Sequence, residues 1–268
     1  MSTPHADVLV VAHRGMAAGF PENTLAAYRN SASLGLSAIE IDLRVTADGH
    51  MVVIHDDTVD RTTNGSGRVD QMTLAEIKSL DAGSYIDPKF ADLRIPTYQE
   101  VLEALRGSGI QLVLDIKEND ALDNERVVRL TEGYGAIDDV VVGPRSVTGL
   151  QRFKRLNPNL RTLGLVPIPE FEPPDPAAIE EFARAGADVI RLWPSWIFSD
   201  RGPGAGNGNS KLIERLHHLG NPVWTTADTL YRDIDPDRPR EDLRELVRLG
   251  VNGIITDLPE LCRDVLSE

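Results

Sequence analysis

Three observations predict a closed parallel α/β barrel. Eight short apolar runs have the length and composition of buried strands, and amphipathic helical segments separate them. A chain of 268 residues is long enough to wrap one such barrel around a single large core. The rival with the same alternation is the open doubly wound sheet. Its dinucleotide-binding form needs a GxGxxG turn after the first strand, and here that position reads AHRGMAAG at 12–19, which lacks the motif.

The first run, VLVVA at 8–12, is continuous and rich in valine, as a strand buried on both faces should be. A helical segment at 22–34 leads to the second strand, AIEIDL at 38–43, where apolar residues bracket Glu40 and Asp42. Residues 44–95 then break the alternation. MVVI at 51–54 follows the turn-forming Asp48-Gly49, and the polar stretch HDDTVDRTTNGSGRVD leads into a short TLAEIKSL helix at 73–80. This segment is expected to be an excursion whose strand returns His55 to the barrel mouth. It is poor in core residues for an independent domain, so residues 1–268 are expected to form one barrel domain with an insertion at about 44–95.

Strands IQLVLDI (110–116), DVVV (139–142), LRTLGL (160–165), DVIRL (188–192) and NPVWT (221–225) follow, with helices at 97–106, 122–132, 146–155, 176–184 and 210–219. The helix at 240–249 sets Leu243, Leu246 and Val247 on one stripe, stops at Gly250, and precedes the last strand, NGIIT at 252–256. The stretch 193–209 combines two tryptophans with a run of glycines, and its length predicts a loop over the functional face of the barrel.

Lys and Arg total 28 against 42 Asp and Glu, a formal net charge of −14. Global attraction therefore does not hold a nucleic-acid backbone, whereas a local cluster of cations still suits a small anion. Cys262 stands alone, which excludes an internal disulfide framework and fits a reducing compartment. No basic start leads into a long apolar run and no stretch of about 18 apolar residues occurs, so no stable membrane insertion and a soluble, cytoplasmic protein are expected.

Alternation along the second strand puts Glu40 and Asp42 on one face, where two carboxylates converge on one hard cation. His13 and His55, each just beyond an apolar run, are placed to move protons near such a cation. Trp224 and Trp193 are candidates to line the mouth and contact substrate, and Asp257 ends the last strand as a candidate to hold a loop or a neighbouring group. His217 and His218 are read as helix-end surface residues.

AHRG at 12–15, PENT at 21–24, EIDLRVTADGHMVVIHDD at 40–57, RTTNGSG at 61–67, IPTYQEVL at 95–102, LDIK at 114–117 and GIITDLP at 253–259 occur in one order. In these motifs the chain resembles the glycerophosphodiester phosphodiesterase family. The resemblance implies a TIM barrel with an inserted region after its second strand. It implies cleavage of small glycerophosphodiesters, such as glycerophosphocholine or glycerophosphoethanolamine, to glycerol 3-phosphate and an alcohol with the help of Mg²⁺ or Ca²⁺. Carried over residue by residue, it puts the metal on Glu40, Asp42 and Asp115, the catalytic histidines at His13 and His55, the phosphate-binding cations at Arg14 and Lys117, and Asn23 in the shell of the site.

The chain departs from the family pattern twice. Asp115 stands where a glutamate is usual, so the carboxylate is one methylene shorter and is expected to bind through a water or to draw the ion inward. Ala227 stands in WTTA where asparagine is frequent, which bears on substrate contacts. Two alternatives share the barrel: a phosphodiesterase directed at lysophospholipids or sphingolipid-type diesters, and a noncatalytic barrel that binds anionic metabolites. The two histidines beside three acidic candidates argue against the second.

Overall fold

The computed structural model describes residues 8–16, 19–117, 124–168, 175–198, 210–227 and 238–268. The chain begins with β1 (Leu9–Ala12), α1 (Leu25–Ser33), β2 (Ala38–Val45), β3 (Met51–Val53), α2 (Leu74–Ser79) and α3 (Tyr98–Ala104). It continues with β4 (Gln111–Ile116), α4 (Asn124–Gly133), β5 (Val140–Gly143), α5 (Val147–Leu156), β6 (Arg161–Leu165), α6 (Pro176–Arg184) and β7 (Val189–Leu192). The last elements are α7 (Pro194–Ile197), α8 (Ser210–His218), β8 (Val223–Thr226), α9 (Arg238–Arg248), β9 (Gly253–Thr256) and α10 (Pro259–Ser267).

Eight of the strands run parallel in the order β1-β2-β4-β5-β6-β7-β8-β9, and β9 pairs back to β1 through Leu9↔Gly253 to Ala12↔Thr256, which closes the barrel. The expected TIM barrel is therefore the fold. β3 adds to the end of β2 antiparallel, with Leu43 opposite Val53 and Val45 opposite Met51.

The strands are apolar on both faces because both faces are covered. Val11, Ala38, Val113, Val141, Leu163, Val189, Trp224 and Ile255 pack into the lumen. The alternate residues, among them Val10, Ile190 and Ile254 on one side and Ile39, Ile41 and Leu114 on the other, pack beneath the helices. Each valine, leucine or isoleucine among them contributes about 1.5–3 kcal/mol on burial. Carried two residues past the lumen layer, the same alternation aims Glu40, His13, Asp115, Gly143, Arg191 and Asp257 at the carboxyl ends of the strands, where barrels of this kind build their sites.

The excursion after β2 is built around a small apolar cluster of its own, Val52, Ile54, Val59, Val69, Ile77, Ala82 and Ile95. Its helix α2 starts on a capping box: Thr73 Oγ1 accepts from the Glu76 N–H while Glu76 accepts from the Thr73 N–H. β3 hydrogen-bonds to β2 as part of the same sheet and carries His55 back toward the barrel.

Two helices lie outside the expected segments. α10 follows the last strand and packs against β1 and α9, and α7 is a single turn that buries Trp196. The loop expected at 193–209 lies outside the described residues from 199 onward. Cys262, on α10, faces the core and is buried, and burial pushes its thiol up to about 12, consistent with a packing role. No helix among the described residues is long and apolar enough to cross a membrane.

Candidate active site

The turn after β1 is where backbone conformation departs most from the ordinary. Arg14 and Asn23 hold positive φ, 54° each, and are the described non-glycine residues that do so. Such backbone is costly for a residue with a side chain and persists where the surroundings enforce it. Here the Asn23 N–H donates to the Arg14 carbonyl at 2.9 Å, and the Arg14 N–H donates to Glu40 Oε2 at 2.9 Å. Gly15 follows at φ 69°, and a Cβ there would lie 2.4 Å from the Tyr28 ring, so the turn also needs a residue without a side chain.

Glu40, Asp42 and Asp115 come together through register. Glu40 and Asp42 share the lumen face of β2, and Asp115 on β4 lies directly across from Asp42. One carboxylate oxygen from each lies within 4.8 Å of those of the other two. The Asn23 amide donates to Asp42 Oδ2 at 2.8 Å, and the Tyr28 hydroxyl donates to Asn23 Oδ1 at 3.0 Å, so Asn23 is engaged at both ends and orients Asp42. Asp42 Oδ1 lies 2.8 Å from the Lys117 ammonium, yet this fully buried oxygen accepts no aligned hydrogen bond. An all-oxygen donor set with an oxygen of that kind fits a hard divalent cation.

The electrostatics separate the three acids. Burial, with the charge of Asp42 added to it, pushes Glu40 well above the usual carboxylate range. Burial works the same way on Asp42, but Lys117, His55 and Arg14 outweigh it and hold that group far below the range. Asp115 is likewise opposed by burial and drawn down to about 2 by Lys117 and Arg145. Arg145, just beyond β5, forks onto Asp115 with Nε 3.0 Å from Oδ1 and Nη2 2.6 Å from Oδ2. Burial alone would lower Lys117, and the neighbouring Asp115 and Asp42 instead raise it.

Each candidate histidine is braced by a carboxylate at Nδ1. His13 lies 2.7 Å from Asp257 Oδ1, and His55 lies 2.7 Å from Asp56 Oδ1. A carboxylate accepts only, so Nδ1 carries a proton in both rings and Nε2 is the nitrogen left for proton transfer. The His13 Nε2 is 4.0 Å from Glu40 Oε2. Burial lowers His55 below its ordinary value, partly offset by Asp42.

A chain of ion pairs links the two flanks. Arg14 Nη1 donates to Glu22 Oε1 at 2.9 Å. Arg61 donates from Nη1 and Nη2 to Glu22 at 2.7 and 2.8 Å, and from Nε to Asp56 Oδ2 at 2.7 Å. Arg14 and His55 are thereby tied to one guanidinium.

The structure thus brings together His13, His55, Arg14, Asn23, Lys117, Glu40, Asp42 and Asp115. Trp224 is elsewhere: at 3% exposure it packs in the lumen, where Gly253 on the next strand leaves room for its ring. Ala227 is fully buried in the layer beneath the helices. Sequence reasoning missed Arg145, Glu22, Asp56 and Arg61, and named Asp257 without its partner. Arg145 and Asp257 carried a readable signal, since each continues the lumen-facing alternation of its strand. Trp193 holds its indole N–H on the Ile168 carbonyl at 3.0 Å and stacks under the Arg191 guanidinium, 3.5 Å from the ring centroid. His217 and His218 are exposed, the first 2.9 Å from Asn252 Oδ1 and the second 2.7 Å from the Glu214 carbonyl of its own helix.

The profile of the Glycerophosphoryl diester phosphodiesterase family matches residues 13–261. A glycerophosphodiester phosphodiesterase of Caldanaerobacter subterraneus is 35% identical over 257 residues, 94% of this chain and 95% of that protein. The crystal structure of a glycerophosphodiester phosphodiesterase from Agrobacterium tumefaciens superposes with a TM-score of 0.73 at 30% identity, covering 96% of this chain and 99% of that one. An Oleispira antarctica phosphodiesterase, solved with its product sn-glycerol 3-phosphate, has a TM-score of 0.81 at 23% identity over 97% of each chain, a likeness of fold.

Proposed function

The chain belongs to the glycerophosphoryl diester phosphodiesterase family, and from that premise we propose how its residues carry out metal-assisted hydrolysis of small glycerophosphodiesters to glycerol 3-phosphate and an alcohol. One observation carries the reading: an oxygen-rich cluster suited to a divalent cation, Glu40, Asp42 and Asp115, sits among two carboxylate-braced histidines and the cations Arg14 and Lys117.

Glu40 and Asp42 would hold the ion, Mg²⁺ or Ca²⁺, with Asp115 beside it. When bound, the ion supplies Lewis-acid stabilisation of the charge that grows on the phosphoryl oxygens. Arg14 and Lys117 add fixed positive charge at the same place, where exclusion of water makes it count for more. Burial keeps His55 in the neutral form that a base requires, so its Nε2 takes the proton from the attacking oxygen, of water or of the glycerol 2-hydroxyl, as the new P–O bond forms, and in the second case water then opens the cyclic phosphate. His13 gives a proton to the departing alcohol oxygen as its bond to phosphorus breaks. Asn23 holds Asp42 in place, and Trp224 closes the lumen beneath the reacting groups. The barrel and its 44–95 excursion work as one unit, because β3 delivers His55. The acidic, single-cysteine chain fits a cytoplasmic enzyme.

Arg61→Met should leave the protein folded and lower turnover about tenfold by releasing Asp56, and with it the His55 ring. Arg61→Lys should recover only part, because one ammonium does not span both carboxylates. Thermal unfolding together with kcat and KM checks this, and unchanged kcat in the methionine variant would remove Arg61 from the positioning of His55.

The deciding test is a panel of glycerophosphocholine, glycerophosphoethanolamine, glycerophosphoinositol and a lysophospholipid, each with and without added Mg²⁺ or Ca²⁺, with products identified. Glycerol 3-phosphate released from the soluble diesters is the expected result, and a transient cyclic phosphate would identify the glycerol 2-hydroxyl rather than water as the attacking group. Release of lysophosphatidate or a cyclic lipid phosphate, without activity on the soluble diesters, would transfer the reading to lipid substrates.

A further inference from the structure

Asp115 differs from the other two carboxylates in what already covers it. Its two oxygens receive three charged donors: Arg145 Nε on Oδ1 at 3.0 Å, and Arg145 Nη2 and Lys117 Nζ on Oδ2, each at 2.6 Å. Glu40 accepts a backbone N–H from Arg14 on Oε2, and Asp42 accepts the Asn23 amide on Oδ2, with Arg14 Nε 3.5 Å from Oδ2 and Lys117 2.8 Å from an Oδ1 that receives no aligned hydrogen bond. A hard cation binds through lone pairs turned toward it at about 2.0–2.6 Å. A guanidinium fork holds both oxygens of a carboxylate in one plane and commits them to itself.

The clamp is built into the barrel. Asp115 pairs in register with Gly143, where a Cβ would lie 2.8 Å from Leu165 Cδ1 and 2.9 Å from the Leu114 carbonyl. The strand beside Asp115 therefore carries no side chain at that level, and the next lumen-facing residue is Arg145. Asp115 is also short, and both of its oxygens are already engaged by Arg145 and Lys117.

We infer that Arg145 is a positioning residue that withholds Asp115 from direct coordination, so that the ion rests on Glu40, Asp42 and waters. The inference rests on the metal reading above and assigns it a geometry of two carboxylates. Arg145 acts on the ion in two ways. Its charge lowers cation affinity, and its fork fixes Asp115 as the counter-ion of Lys117, which in turn keeps Lys117 beside Asp42 rather than free to swing away.

The test reads metal binding without substrate. Tb³⁺ is titrated into the wild type, Arg145→Met, Arg145→Lys and Arg145→Met/Asp115→Asn, and luminescence lifetimes in H₂O and D₂O count the waters on the bound ion. Competition with Ca²⁺ gives affinities. Arg145→Met should bind Ca²⁺ about tenfold more tightly or better, because a positive charge near the ion is gone, and should lose at least one coordinated water as Asp115 enters. The double variant should lose that gain. Arg145→Lys keeps the charge and breaks the fork, so it should lose a water with a smaller gain in affinity, and it remains informative if the methionine variant unfolds. An unchanged water count in both single variants, with a normal wild-type titration, would overturn the inference alone. A wild type that binds no ion, or binds it equally well as Asp42→Asn, would overturn the metal reading and this inference with it.

Discussion

His13→Gln and His55→Gln should each lower turnover by about 10²–10⁴, the range for removing a positioned general acid or base. Glutamine keeps a polar group at each site but does not titrate there, so the loss measures proton transfer more than packing. His13 is buried at 8% exposure and braced by Asp257, and its variant should be the less stable of the two. His55 lies at the end of a short edge strand and should be replaced with little effect on unfolding. The two roles separate on a glycerol 3-phosphate diester of p-nitrophenol, whose leaving group departs without a proton. That substrate should restore much of the activity of the His13 variant and little of the His55 variant. Restoration of the His55 variant instead would exchange the two assignments, and wild-type turnover in either folded variant would take that histidine out of the chemistry.

The parts of this site that were legible in the sequence are those that sit inside apolar runs. Glu40 and Asp42 interrupt a strand that is otherwise buried on both faces, and His13, Asp115 and Lys117 lie within or just past such runs at lumen-facing parity, so period two puts them on the lumen side, whereas His55 shows only as the polar residue that ends the MVVI run. The barrel was legible for the same reason, because each strand needs both faces covered and the alternation with helices supplies the cover. Pairing was harder to read. Asp257 braces His13 across 244 residues because barrel closure brings β9 against β1, a fact of topology rather than of local pattern. Arg145 meets Asp115 because β5 follows β4 around the barrel.

The network through Glu22, Asp56 and Arg61 was hidden for a different reason. Its members lie on the irregular segments around β1 and β3, where neither period operates, and their convergence depends on how the excursion folds back around its own small core. Trp224 shows the opposite limit. A large aromatic residue near a strand end reads as a lining of the mouth, whereas the glycine on the neighbouring strand decides that it fills the interior instead.

Asp42→Asn should be the most damaging single change to the metal centre, lowering cation affinity at least about a hundredfold and turnover at least about a thousandfold. The side chain is isosteric and 0% exposed, so the Asn23 contact and the packing survive while the charge is lost. Three cations, Arg14, Lys117 and Arg145, then face two carboxylates, and a divalent ion entering the site meets a positive field. Stability should fall as well, by about 3–5 kcal/mol, because removing one partner leaves the others buried with an uncompensated charge. A titration of activity against Mg²⁺ or Ca²⁺ separates loss of the ion from loss of the fold. If Asp42 serves chiefly to hold the ion, millimolar metal should restore part of kcat in a protein that circular dichroism shows to be folded. If activity in the folded variant matches wild type at every metal concentration, β2 does not supply the metal site, and the carboxylates at its end serve only to balance the charge of Arg14 and Lys117.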